Sequence, residues 1–116
     1  MKTYILIFRM DIISPEMQPS KEQMATYMQD WMKWINSIID KGQLADGGLH
    51  ITNEGRVLRP NKVVEEKPYS VNNESINGYI VVSAENIDDA VKLAEGCPLL
   101  NGKGTSVEVR EALKLG

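Results

Sequence analysis

The 116-residue sequence predicts an α+β fold, a two-layer sandwich of the split βαβ kind, on three observations. Apolar patterns follow one another in the order strand, long helix, two strands, short helix, strand. The long helix carries an unusually wide apolar arc, and two of the strands are apolar on both faces. The order permits two right-handed crossovers, which place both helices on one face of a four-stranded antiparallel sheet.

Residues 2–9 (KTYILIFR) concentrate β-branched and aromatic side chains in a short run and predict a buried central strand. Pro15 and Pro19 break the pattern over residues 10–19, a surface connection. A helix is expected from Lys21 to about Lys41, with Ser20 as N-cap, Gln23 completing a capping box, and Gly42 at the left-handed position beyond its end. At 100° per residue Met24, Tyr27, Met28, Trp31, Met32, Trp34, Ile35, Ile38 and Ile39 share one face, within an arc of roughly 160°. A face that broad covers a sheet and still has surface left to touch something else.

After Gly47-Gly48, residues 49–52 read as a strand turned at Asn53-Glu54-Gly55 into residues 56–59, with Pro60 confining the second arm to an edge. Residues 62–66 allow a short extended piece, and residues 69–75 read as a surface loop. Residues 76–83 (INGYIVVS) form the second strongly apolar strand. Asn86 is an N-cap, with Asp88 and Asp89 in the first turn of a short helix whose face is Ile87, Ala90, Val91 and Ala94. Gly96 and Pro98 stop it, residues 99–104 form a loop, and residues 105–110 (TSVEVR) alternate as a half-buried strand.

The composition, 42% hydrophobic and 25% charged, is that of a soluble single-domain globule. A net charge of −3, with scattered basic residues, argues against a nucleic-acid binder. The apolar start of the chain is too short for a signal peptide, and no run approaches the length of a membrane helix, so a cytoplasmic location is expected. Cys97 is the single cysteine; with His50 the single histidine, it offers no metal-ligand spacing. Gly47-Gly48 and Gly102-Lys103-Gly104 do not build a phosphate loop leading into a helix.

The strands add a prediction about assembly. Tyr4, Leu6 and Phe8 alternate with Ile5 and Ile7, and Ile80 and Val82 alternate with Tyr79 and Val81. With helices on one side only, one apolar sheet face is left uncovered, and a homodimer closing the two faces together is expected.

Several segments resemble the YCII-related family, in particular its DGPF branch. The marker Asp-Gly-Pro-Phe, a Glu-containing loop and Gly-Tyr opening a strand are matched here by Glu66-Lys67-Pro68-Tyr69, Glu74 and Gly78-Tyr79. Pro68, the loop Glu74 and Gly78-Tyr79 are retained outright. The Met/Trp-rich helix ending in Gly, the second helix (Asp-Asp-Ala-Val-Lys-Leu-Ala) followed by Cys97-Pro98, and the closing Val107-Glu108-Val109-Arg110 also resemble the family's elements. The resemblance implies a ferredoxin-like βαββαβ fold assembled as a dimeric α/β barrel. Some relatives are regarded as small cofactor-free enzymes with a His–Asp pair. Their His lies in the first helix, where this chain has Tyr27, Trp31 and Trp34 and no His.

Candidate site residues follow. His50 reads as a general base held by Asp46 or Glu66, or else as a solvent-facing or hydrogen-bonded strand residue. Glu66 is the second candidate base. Arg9, Arg59 and Arg110 lie at predicted strand ends; two of them converge on a small carboxylate ligand in one reading, and in the other they make ordinary surface or interface salt bridges. Tyr69 and Glu66 line a pocket mouth or a structural turn fixed by Pro68. Trp31 and Trp34 are expected as core or interface anchors, the six methionines as fillers between helix and sheet, and Cys97 as a structural thiol.

The functional expectation is a homodimeric module that binds a small polar or aromatic molecule in a sheet-lined pocket without a cofactor. Two alternatives stand beside it. In one the pocket belongs to a cofactor-independent lyase, isomerase or monooxygenase-like enzyme with His50 or Glu66 as base. In the other the chain is a plain interaction subunit.

Overall fold

The long central strand β1 (Lys2–Asp11) organises everything else in the computed structural model, which describes residues 1–115. It is flanked by β5 (Glu74–Ala84) on one side and β6 (Thr105–Glu111) on the other, both antiparallel to it. β2 (Leu44–His50) pairs with the far side of β5, so the sheet runs β2-β5-β1-β6. Helices α1 (Lys21–Asp40) and α2 (Ile87–Glu95) complete a β-α-β-β-α-β order around an inserted two-stranded sheet, β3 (Val57–Arg59) with β4 (Val63–Glu65). The result is an α+β fold with an antiparallel sheet and two helices, compatible with the expected ferredoxin-like sandwich. Among the described residues no helix is long and apolar enough to cross a membrane.

Alternation along the strands decides which face is dry. Tyr4, Leu6 and Phe8 on β1 and Ile80, Val82 and Ala84 on β5 are buried, together with Trp34 and Ile38 of α1 and Ala90 and Ala94 of α2. One continuous core therefore lies between the sheet and both helices. Phe8 meets the edges of Trp31 and Trp34 with ring centroids 4.9 and 6.0 Å away, an arrangement that adds quadrupole attraction to the burial. Trp34 is a core anchor, and the partly buried Trp31 packs against the same core.

Local chemistry sets the helix ends. The Ser20 hydroxyl accepts from the Gln23 N–H (3.1 Å) while the Gln23 side chain accepts from the Ser20 N–H (2.8 Å), so the capping box is complete. Gly42 follows with φ +68°. Asn86 caps α2 through the Asp89 N–H at 2.9 Å.

Four expectations need correction. β2 spans Leu44–His50 rather than residues 49–52, because Gly47-Gly48 is not a break in the chain but a bulged part of the strand. Gly48 has φ +68°, and any Cβ there would collide with the Tyr79 carbonyl oxygen, so only glycine lets β2 approach β5. The hairpin turn is not Asn53-Glu54-Gly55. Val57–Arg59 pairs with Val63–Glu65 around Pro60, and Asn61 and Lys62 take the positive φ values (66° and 64°) that a tight reversal needs. Third, β5 begins at Glu74 rather than at residue 76, directly after the turn-rich loop, in which Val71 and Glu74 exchange both backbone hydrogen bonds around Asn72 and Asn73, at φ 54° and 66°. Fourth, the wide arc of α1 is only half used. Trp34 and Ile38 are buried, whereas Met24, Met28, Met32 and Ile39 are exposed, so these methionines do not fill the gap between helix and sheet. On α2, Ile87 and Val91 are likewise exposed while Ala90 and Ala94 are buried.

Candidate site on the open sheet face

The face of the sheet opposite the helices carries Ile5, Ile7 and Arg9 from β1, Tyr79 and Val81 from β5, and Ser106 and Glu108 from β6, all partly buried. Neighbouring strands screen these side chains sideways, while both helices pack on the opposite face of the sheet. Leu49, paired with Tyr79, extends the apolar strip to β2 and is 68% exposed. The predicted two-sided strands are therefore present, and their second face carries neither helix.

Charge collects at the β6 edge of this face. Glu108 accepts from Arg9 Nη1 at 2.6 Å through one carboxylate oxygen and from Arg110 Nη1 at 3.0 Å through the other. Arg9 sits within β1 rather than at its end, yet the register sets it close enough to share that carboxylate. Arg9 and Arg110 thus converge on a carboxylate, and it is one the protein supplies. The two guanidiniums, Arg9 first, hold the Glu108 pKa below the usual range for a glutamate. Glu74 nearby accepts from the Ser106 hydroxyl at 2.7 Å. The Oδ1 of Asn77 is buried with no hydrogen-bond partner among the described residues, at the irregular step where β1 and β5 shift register.

A second cluster lies on the inserted hairpin. Arg59 Nε donates to Glu65 at 2.9 Å, and the guanidinium carbon stands 5.4 Å from the centre of the Tyr69 ring. The Glu65 contact holds the Arg59 pKa above its ordinary value. Arg59, Glu65, Lys67, Pro68, Tyr69 and Ser70 line an open cleft of about 160 Å³. Tyr69 and Arg59 are thus brought together, as a pocket mouth requires, whereas Glu66 is exposed in the bend after β4 and does not line the cleft. Glu65 as Arg59's partner was not legible from local pattern, because the pairing depends on where the hairpin turns.

His50 ends β2 opposite Gly78 and is exposed. Its expected carboxylate partner is engaged elsewhere: Asp46 Oδ1 accepts from the Gly48 N–H at 2.7 Å, holding the bulge. No hydrogen bond joins His50 to Asp46 or Glu66 among the described residues. A wider groove of about 460 Å³ lies between Met1–Thr3 and Glu111–Lys114 and is lined by none of the candidate residues.

Two further groups are tuned by burial. Cys97 is 2% exposed and its thiol pKa is pushed up to about 11 by desolvation, which fits a structural cysteine. Burial, with the neighbouring Cys97 as a lesser cause, raises the Tyr27 pKa to about 12. At the far end of β1, Asp11 accepts from the Ile13 and Ser14 N–H groups, both at 2.8 Å, and these bonds, Ser14 first, lower its pKa. Among the described residues no three His, Cys, Asp or Glu side chains gather as metal ligands would.

Compared with known proteins, the chain matches no protein-family model and no curated protein.

Proposed function

We propose that the chain works as a homodimer whose subunits close sheet on sheet, a YCII-like dimeric α/β barrel that binds a small polar or aromatic molecule without a cofactor. The observation that carries this reading is the open face itself, with Ile5, Ile7, Tyr79, Val81 and Leu49 left unprotected by either helix. Covering apolar surface returns roughly 25 cal/mol per Å², so a strip of this kind favours association with a matching surface. Polar groups bound it: Glu108 and Arg110 on the edge strand β6, with Arg9 reaching Glu108 from β1, and Asp46 on the opposite edge strand β2. An apolar centre within a polar rim is the ordinary anatomy of an interface.

Ligand contact is assigned to the arginines and the tyrosine. Arg9 and Arg110 flank the strip, and Arg59 with Tyr69 offers a cation and an aromatic plane to a small anion or ring compound in the hairpin cleft. Light scattering after size exclusion should give twice the 13.0 kDa chain mass; a mass of one chain at every concentration refutes the assembly. A thermal-shift screen of small carboxylates and aromatic compounds should find stabilising ligands whose effect Arg59→Ala or Arg9→Ala removes. Loss of the shift in neither variant would remove those residues from the site.

A further inference from the structure

β6 ends the sheet, and its outer edge has no strand beside it among the described residues. Two backbone bonds fix which of its groups face outwards: the Ala112 N–H donates to the Thr3 carbonyl, and the Asp11 N–H to the Gly104 carbonyl. The even-numbered residues of β6 therefore bond to β1, and the N–H and C=O groups of Val107, Val109 and Glu111 point away from it. The two edges of the sheet differ in character. β2 is interrupted by two register shifts, which spoil it as a template, whereas β6 runs along β1 without a shift and holds neither proline nor lysine. A straight edge of that kind accepts a further strand.

We infer that this edge pairs, antiparallel, with β6 of a second copy, about a two-fold axis that passes through Val109 and stands normal to the sheet. The stretch Glu108-Val109-Arg110 carries the inference. Turned end for end it reads base, apolar, acid, so laid on itself it sets each Glu108 opposite Arg110 of the other copy. Outward-pointing residues must meet outward-pointing residues, so the pairing shifts only in steps of two. One step in either direction sets Glu108 on Glu108 or Arg110 on Arg110, and like charges directly opposite work against the contact. In the favoured register Val107 and Glu111 exchange backbone bonds across the axis and Val109 meets Val109. Glu108 and Arg110 then occupy the closer, non-hydrogen-bonded position. Arg110, its side chain 67% exposed, keeps donors beyond its bond to Glu108 of its own strand. Glu74 is engaged by Ser106, which this register sets opposite Ala112, so it stands against neither charge. An axis normal to the sheet leaves the open face clear, and the contact is therefore separate from the sheet-on-sheet pair proposed above. One strand edge is small beside the roughly 1,200–2,000 Å² of stable interfaces, so this pairing builds up only as the protein is concentrated.

The test is amide hydrogen exchange of the full wild-type chain, read residue by residue by NMR in dilute and in concentrated samples. Val107, Val109 and Glu111 should exchange about tenfold more slowly in the concentrated sample, while Glu108 and Arg110, bonded to β1, stay slow in both. Exchange of the three outward amides that does not change with concentration overturns the inference. Slowing that appears equally on the outer amides of β2 pairs β6 with β2 instead and overturns it as well. Arg110→Glu, a change at an exposed position, sets an acid opposite Glu108 twice over and should weaken the pairing about tenfold at low salt and little at high salt. A variant that pairs as well as wild type overturns the register. The sheet-on-sheet dimer is read separately, from the mass in dilute solution: a single-chain mass there, with the three amides still slowed on concentration, refutes that dimer and upholds the edge pairing.

Discussion

Trp34 ties the two helices together: its indole N–H crosses from α1 to donate to the Leu93 carbonyl in the last turn of α2, 3.0 Å away. The ring is buried among Phe8, Trp31 and the β1 side chains, so this one residue serves both packing and orientation. Trp34→Phe keeps most of the apolar volume and loses the bond, and should cost about 1–2 kcal/mol in urea unfolding. Trp34→Ala also opens a cavity and should cost about 3–5 kcal/mol.

Gly48 and Gly47 should behave as opposites. A methyl group at Gly48 meets the Tyr79 carbonyl and must also adopt φ +68°, whereas a methyl group at Gly47 meets nothing within 4 Å. Gly48→Ala should detach β2 from β5 and cost about 3 kcal/mol or more, with early hydrogen exchange at Leu44–His50. Gly47→Ala should fall within about 1 kcal/mol of wild type.

Acid should weaken the protein through identifiable carboxylates. Asp11 and Glu108 both have folded pKa values lowered from 3.8 and 4.5, the first by backbone N–H groups and the second by Arg9 and Arg110. A lowered folded pKa means that the unfolded chain takes up protons first. The stabilising contribution is therefore complete above about pH 4.5 and is lost as the pH falls through the folded values. Asp11→Asn retains an acceptor for the Ile13 and Ser14 N–H groups without the charge, so its stability should fall less steeply below pH 4.5 than that of wild type.

The Cys97 thiol should be silent in the native protein. At 2% exposure and with a pKa near 11, it carries almost no thiolate at pH 8. A thiol-reactive dye should label it only as fast as the chain opens, and labelling should become immediate in denaturing urea. Rapid native labelling would contradict its burial.

The open face has its own single-residue probe. Ile7→Lys sets a charge in the middle of the apolar strip while leaving the helix-side core untouched. It should abolish the dimer in light scattering and leave the circular dichroism spectrum unchanged.

Much of this architecture was legible because it rests on local patterns. Ser20, Gln23 and Gly42 bracket α1 by chemistry confined to a few neighbouring residues, and alternation in β1 and β5 shows both of their faces. Errors arose where a distant partner decides the local conformation. Gly47-Gly48 has the composition of a turn and becomes strand because β5 lies beside it. Asn53-Glu54-Gly55 resembles a hairpin turn at least as well as Pro60-Asn61-Lys62 does, and only the pairing of Val57 with Glu65 settles the matter. The candidate site was readable in part. The meeting of Arg9 with Glu108 depends on strand register, which no single segment displays, whereas Arg110 and Glu108 lie two apart on one strand face. Helical periodicity placed Met24, Met28 and Met32 on the apolar arc, but it contains no measure of where the sheet ends.

Those three thioethers give the long helix a chemical sensitivity that its buried half lacks. Met24, Met28 and Met32 follow one another a turn apart, each between 43% and 51% exposed. Peroxide would turn each into a polar sulfoxide, converting a greasy ridge into a hydrophilic one without touching Trp34 or Ile38 beneath it. The outer surface of α1 can thus change its solvent affinity through oxidation while the architecture under it stays as it was.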